Sequence, residues 1–129
     1  DEMCKHDQLQ LVVKHYFSDG VYARELFIPK DTFLTGHIHK FHQINVMSKG
    51  DMSVLTEDGV IRVQAPFSII APPGTKRIAY AHEDTVWTVF HGTNEISLDK
   101  IEEDFIAHTE AEYSTFLEHV KVKELTCPG

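Results

Sequence analysis

Short runs of β-branched and aromatic residues, separated by turn residues at regular intervals, dominate the chain between residues 11 and 92. Runs of this length and composition indicate β-strands, and the Gly, Pro and Asp residues between them indicate tight connections. The predicted strands cover residues 11–17, 21–28, 32–34, 38–47, 52–56, 60–64, 68–71, 76–81 and 86–91. Many short strands joined by tight turns are typical of an antiparallel sandwich or barrel. We therefore expect a mainly β protein.

The pattern changes after residue 93, where apolar residues recur at helical spacing. Leu98, Ile101 and Phe105 would share one face of a helix. Ser97 is a residue type that caps helix starts, because its hydroxyl accepts a hydrogen bond from a free backbone N–H of the first turn. The spacing therefore predicts a helix that begins after Ser97.

A second helix is predicted further along. Thr109, followed three residues later by Glu112, is a capping-box signature and indicates a helix to about residue 119. The tail at 120–125 alternates apolar and charged residues, which favours an edge strand. We expect one domain over residues 1–129, with a barrel over roughly 11–92 and a helical segment over roughly 97–119.

Composition narrows the range of functions. With 129 residues the chain is long enough for one hydrophobic core. Twenty acidic against twelve basic residues give a net charge of −8, which disfavours binding to the phosphate backbone of nucleic acids. The longest apolar runs are far too short to cross a membrane. We expect neither a nucleic acid nor a membrane as a partner.

Two features bear on the cellular compartment. The first residues lack the basic and apolar regions of an export signal. Cys4 and Cys127 form no CxxC motif and indicate reduced thiols of an intracellular protein, although the two would pair if the termini were neighbours. We expect a cytoplasmic protein, in the host cytoplasm if the chain is viral.

A pair of histidines, His37 and His39, stands at the start of the fourth predicted strand. Side chains two positions apart on a strand point to the same side, so the two imidazoles would share the inner face of a barrel. Such a pair is half of a metal site or the floor of a polar pocket. The same alternation places Phe41 and Gln43 on the inner face and turns His42 outward.

The histidine pair begins a pattern that resembles the first motif of the cupin superfamily, in which a Glu and then a Gly seven positions later follow the pair. Gln43 occupies the Glu position here, and Gly50 occupies the Gly position. The second cupin motif, Pro-x-Gly-x-x-His, is matched by Pro72 and Gly74, with Arg77 in place of the histidine. The chain is similar in particular to small phage and bacterial cupins whose second motif is Pro-Gly-Thr-Lys-Arg. The resemblance implies a cupin-like jelly-roll β-barrel with one or two C-terminal helices.

The resemblance also implies where a site would lie and how it is altered. Cupins usually hold a metal with three histidines and a carboxylate inside the barrel. Arg77 cannot replace a histidine ligand, because its guanidinium stays protonated and has no acceptor. The first hypothesis is a reduced site for one divalent transition metal (zinc, iron, nickel or manganese) whose ligands would be His37, His39, Gln43 and His91.

The second hypothesis is a metal-free pocket for a small anionic molecule. Arg77 and His39 would anchor a carboxylate or a phosphate. The remaining members of this ligand-binding set are Gln43, Tyr80 and Trp87. A tryptophan on an apolar strand, as Trp87 is, is more often a residue of the core than a stacking platform.

Two further roles stay open. A degenerate barrel could act as a structural or oligomerising module, for example in a virion, because the resembled family commonly forms homodimers through its sheets. The protein could instead be an enzyme, either a metal-dependent oxygenase or an isomerase or lyase acting at a carbonyl, although the sequence names no catalytic residue. Of these functions we favour a small-molecule-binding protein that forms a homodimer.

Overall fold

The structure is a computed structural model that describes residues 11–56, 58–74, 77–109 and 111–118. The strands of this part of the chain are β1 (Val12–Ser18), β2 (Val21–Ile28), β3 (Phe33–Thr35), β4 (Ile38–His39), β5 (Gln43–Lys49), β6 (Asp51–Thr56), β7 (Gly59–Gln64), β8 (Phe67–Ala71), β9 (Ile78–Ala81), β10 (Thr85–Gly92) and β11 (Ile106–Ala107). Helix α1 (Leu98–Phe105) lies between β10 and β11, and residues 111–118 form helix α2.

Two antiparallel sheets build a barrel. One sheet has five strands in the order β1-β2-β10-β5-β8, and the other has four strands in the order β3-β9-β6-β7. A short third ladder pairs β4 with β11, so the segment after helix α1 returns to the barrel. The predicted mainly β architecture with C-terminal helices is confirmed.

The core lies between the two sheets because strand residues alternate between an inner and an outer face. On β2, for example, Tyr22, Leu26 and Ile28 are buried. Burial of apolar surface of this kind is the main stabilising contribution to such a barrel. One buried cluster joins both sheets and consists of Leu26, Ile28, Met47, Met52, Val63, Ala79 and Ala81.

The run 38–47, predicted as one strand, forms two strands. Strand β4 ends at His39, a bend occupies residues 40–42, and β5 begins at Gln43. The bend takes Phe41 out of the alternation that His39 and Gln43 keep, and the prediction that Phe41 faces the barrel interior is therefore wrong. Its side chain is 47% exposed and packs edge-on against the rings of Phe105 and Phe116, with centroids 5.9 and 5.3 Å away.

Both predicted helices are present with the expected caps. The Ser97 hydroxyl accepts a hydrogen bond from the Lys100 backbone N–H at 3.4 Å, and the Thr109 hydroxyl accepts one from that of Glu112 at 3.0 Å. Neither helix in the described part of the chain is long and apolar enough to cross a membrane. The predicted edge strand at 120–125 lies outside the described residues, as do Cys4 and Cys127.

Candidate functional site

A cavity of about 580 Å³ runs between the two sheets, from helix α1 toward the buried cluster. The register of the five-stranded sheet sets inward side chains of neighbouring strands beside one another, so that three rows face the cavity. The upper row contains Tyr22, His91 and Gln43, the middle row Arg24, Val89 and Asn45, and the lower row Leu26 and Trp87. Polarity therefore decreases from the upper row to the lower row.

Three more polar side chains line the same cavity: His37, His39 and Arg77. His39 belongs to β4, and its carbonyl accepts a hydrogen bond from the Gly74 N–H at 2.9 Å. Arg77 directly precedes β9, and its carbonyl accepts one from the Gly36 N–H at 2.8 Å. These two backbone hydrogen bonds hold the loop of the Pro-x-Gly motif against β4 and the residues just before it.

Helix α1 covers the polar end of the cavity. Its residues Leu98, Ile101, Glu102 and Phe105 line the cavity, and the ring of Phe105 lies 4.6 Å from that of His91. The helix is held there by the β4–β11 ladder and by a hydrogen bond of 2.8 Å from the Lys40 N–H to the Phe105 carbonyl. The helical segment is therefore part of the wall of the site.

Four polar atoms of the cavity wall are buried without a hydrogen-bond partner in the described part of the chain. They are His39 Nδ1, Gln43 Oε1, Asn45 Oδ1 and Arg77 Nε. A buried polar atom without a partner costs about 1–3 kcal/mol, and native proteins rarely contain such atoms. Their concentration at one end of one cavity indicates that this end is built to contact polar groups of a bound molecule or of water.

Two histidines of the cavity, the partly buried His39 and the buried His91, are neutral at pH 7. Burial, with smaller contributions from the nearby His91, His37 and Arg24, lowers the pKa of His39 from 6.5 to about 3. Burial also lowers the pKa of His91 from 6.5 to about 4, and the charge of Arg24 contributes. Arg24 itself has a pKa below its ordinary value, mainly because its guanidinium is largely removed from water.

Tyr22 connects the cavity with the edge strand β1. Its hydroxyl and His15 Nδ1 are hydrogen-bonded at 2.7 Å. The Tyr22 ring stacks on that of His91 with centroids 6.0 Å apart, and His91 stacks on His39 at 5.8 Å. Burial raises the pKa of Tyr22, so the phenol stays protonated and serves as a hydrogen-bond donor or acceptor.

Solved structures with this architecture identify the fold. No protein-family model matches the sequence, and no curated protein does. A cupin-2 domain protein from Shewanella frigidimarina is 11% identical, with a TM-score of 0.52 over 64% of this chain and 80% of that chain. A cupin 2 conserved barrel domain protein from Salinispora arenicola is 11% identical, with a TM-score of 0.51 over 62% of this chain and 74% of that chain. The chain has the cupin fold.

KdgF from a Halomonas species is another similar structure. It is 18% identical, with a TM-score of 0.53 over 64% of this chain and 81% of that chain. Identities this low carry the fold and leave the ligand open, because the same fold hosts many functions. The chemistry of this cupin barrel therefore has to be argued from its own side chains.

The cupin barrel brings together most of the residues singled out in the sequence. His37, His39, Gln43, Arg77 and His91 all line the polar end of the cavity, and Trp87 lines its apolar end beside Leu26. The expectation that Tyr80 faces the pocket is wrong. Strand β9 turns Ala79 and Ala81 inward, so Tyr80 points outward and its hydroxyl donates to the Asp31 carboxylate at 2.6 Å.

Sequence reasoning missed Tyr22, Arg24 and Asn45, all of which line the cavity. The available signal was the alternation in β2, where Tyr22 and Arg24 share a face with Leu26 and Ile28. An arginine in phase with core residues indicates a cation directed into the barrel. The alternation shows which residues of β2 share a face, but only the pairing of β2 with β10 shows that this face points into the barrel.

The metal site implied by the cupin fold does not fit these side chains. Among the described residues, no group of three or more His, Cys, Asp or Glu side chains is placed to hold a metal ion. Arg24 and Arg77 also line the cavity, and two guanidinium groups oppose a divalent cation in a partly dry site. The polar end of this cupin barrel is suited to an anion.

Proposed function

We propose that this protein binds a small anionic molecule at the polar end of its barrel cavity. The observation that carries the proposal is the set of four buried polar atoms that have no hydrogen-bond partner among the described residues; they belong to His39, Gln43, Asn45 and Arg77. A ligand that supplied their missing hydrogen bonds would remove a desolvation cost of about 1–3 kcal/mol for each atom.

The charges of the wall support an anion in particular. The guanidinium group presents a planar fork of N–H donors that matches a carboxylate or a phosphate. Arg24 and Arg77 offer two such groups in one cavity. Hydroxyl groups of the same ligand would satisfy the acceptor oxygens of Gln43 and Asn45, or these amides would rotate to offer their N–H groups.

A structural role in a homodimer is the second candidate, because one observation favours it. The outer face of the five-stranded sheet carries a continuous apolar row across all its strands, made of Tyr16, Ala23, Phe90, Ile44 and Ile70. Tyr16, Ile44 and Ile70 are 50%, 52% and 66% exposed. This face would serve assembly without using the cavity, so the two roles are compatible.

The variant Arg77→Gln tests anion binding. Acetate, inorganic phosphate and succinate are titrated into the unaltered chain and the variant by calorimetry and ligand-observed NMR. Loss of the guanidinium should weaken the best of these anions by about 1.5–3 kcal/mol, the contribution of a charge-assisted hydrogen bond. Lys49→Gln is the matched control, because Lys49 is exposed and does not line the cavity, and it should leave the affinity unchanged.

Other results would contradict the proposal. Equal affinities for the unaltered chain and for Arg77→Gln would remove Arg77 from the binding site. If neither the unaltered chain nor Arg77→Gln binds any of these anions, and both form the same oligomer, the result would favour the structural role. Elemental analysis of the same untagged samples completes the test, since stoichiometric metal that disappears in His39→Gln would support a metal site instead.

A further inference from the structure

The cavity joins a polar end to an apolar end. Below Arg24, the lower row contributes Leu26 and Trp87, and Met52 and Val63 of the four-stranded sheet line the cavity opposite. Leu26, Met52 and Val63 belong to the buried hydrophobic cluster, and Trp87 packs against it. A molecule confined to the polar end would leave these apolar walls uncovered, whereas an attached apolar group would bury surface against them.

The charges define the head group of such a molecule. Among the described residues, the charged side chains of the cavity wall are Arg24, Arg77, Asp99 and Glu102. Glu102 interacts with Arg24 and compensates part of its charge. Both acids line the cavity but are exposed to solvent, whereas Arg77 Nε is buried and has no hydrogen-bond partner among the described residues. One negative charge on the ligand therefore matches Arg77, which forms no ion pair with the residues that the structure describes.

We propose that the ligand of this pocket is an amphiphilic carboxylate, a molecule with one carboxylate head and a compact apolar body. This inference rests on the proposed function and specifies its ligand class. The carboxylate lies among Arg77, Arg24 and His39, and the apolar body extends along the middle and lower rows toward Leu26 and Trp87. Arg24 thereby becomes a second anchor of the head group, placed one row above the apolar end.

The unaltered chain permits a direct test, because Trp87 is the one tryptophan in the sequence and lines the apolar end. Its fluorescence is followed during titration with octanoate, acetate and 1-octanol. Each buried methylene strengthens binding about four-fold. Octanoate should therefore bind at least 100-fold more tightly than acetate, and it should shift the tryptophan emission to shorter wavelength.

The variant Arg24→Met tests the head-group anchor. Methionine keeps much of the length of the side chain and removes its charge. Octanoate affinity should fall about ten-fold or more, the effect of losing a charge-assisted hydrogen bond, while 1-octanol affinity should stay the same. Lys14→Met is the matched control, since Lys14 is exposed on neighbouring strand β1 and does not line the cavity, and it should change neither affinity.

The remaining outcomes separate this inference from the proposed function. Acetate or phosphate binding as tightly as octanoate would overturn the amphiphile and leave the anion pocket intact. Octanoate and 1-octanol binding equally to the unaltered chain, with no effect of Arg24→Met, would overturn the carboxylate head. Absence of binding by octanoate, acetate and phosphate alike would overturn both proposals.

Discussion

At Gly50 the backbone leaves no room for a side chain. The residue connects β5 to β6 with a φ of +114°, and a Cβ atom built there would lie 2.6 Å from the Cα atom of Thr85. Thr85 has no exposed surface, so it cannot move aside without disturbing the core. Gly50 therefore permits β10 to pack closely against the turn between β5 and β6.

Comparison of two glycine substitutions isolates this contact. Gly59 has a similar φ of +107°, but a Cβ there would meet no atom within 4 Å. Both Gly50→Ala and Gly59→Ala introduce backbone strain, and Gly50→Ala adds overpacking against Thr85. Gly50→Ala should lower the free energy of unfolding by about 1–3 kcal/mol more than Gly59→Ala, as measured by urea denaturation. Equal losses of unfolding free energy in the two variants would show that the backbone of Thr85 moves aside without a cost in stability.

Single residues of the site were predictable to different degrees. The motif spacing identified His39, Gln43 and Arg77, because a motif specifies both the position and the face of a residue. Arg24 carries no motif, and its inward direction depends on pairing between β2 and β10, which are distant in sequence. Tyr80 points away from the pocket, contrary to the expectation from the sequence, because it alternates with the buried Ala79 and Ala81.

Among the elements, strands that are defined by their own local sequence were easier to predict than the break between β4 and β5. Strands such as β2 and β7 follow from local alternation and turn residues, which the sequence displays directly. The bend at residues 40–42 depends on distant partners, since β4 pairs with β11 and the Lys40 N–H donates to the Phe105 carbonyl. Local patterns contain no information about such partners.

Helix α2 docks on the loop of the second motif. Gly74 has a φ of +88°, and a Cβ there would come within 2.7 Å of the Tyr113 hydroxyl and ring. The contact between the Tyr113 ring and the bare Gly74 backbone orients the helix over the loop that precedes Arg77. Position 74 thus links the helical segment to the wall of the site.

A double-mutant cycle tests this docking. Gly74→Ala carries the same backbone strain whether or not Tyr113 is present, so a coupling with Tyr113→Ala reports the contact alone. Gly74→Ala should destabilise the unaltered chain by at least about 1 kcal/mol more than it destabilises the Tyr113→Ala variant. The four free energies of unfolding are measured by urea denaturation. Additivity within about 0.5 kcal/mol would mean that α2 does not pack on Gly74 in solution.

At the scale of the whole molecule, two histidines that are neutral in the folded protein link its stability to pH. The pKa is about 3 for His39 and about 4 for His91 in the folded protein, against an ordinary value of 6.5. Between pH 6.5 and about 4, the unfolded chain therefore binds more protons than the folded one. The free energy of unfolding must fall as the pH falls through this window.

The expected loss between pH 7 and pH 5 is about 3–4 kcal/mol for the two histidines together. Urea denaturation at a series of pH values measures it, and the double variant His39→Gln/His91→Gln should flatten the curve. Asp51 acts in a separate window, because hydrogen bonds from Arg62 and Gln64 lower its pKa and its contribution is lost only below about pH 4. A double variant that keeps the full slope would mean that other groups cause it.

The separation between the barrel and helix α1 has a consequence for how this protein can change. The sheets carry the core, whereas Leu98, Glu102 and Phe105 reach the cavity from an eight-residue helix outside both sheets. Substitutions at these positions would change the shape and charge of the polar end of the cavity while leaving the strand pairing intact. Ligand preference in this chain is therefore separable from folding. A library of variants confined to these three positions is a small and direct starting point for changing the ligand selectivity.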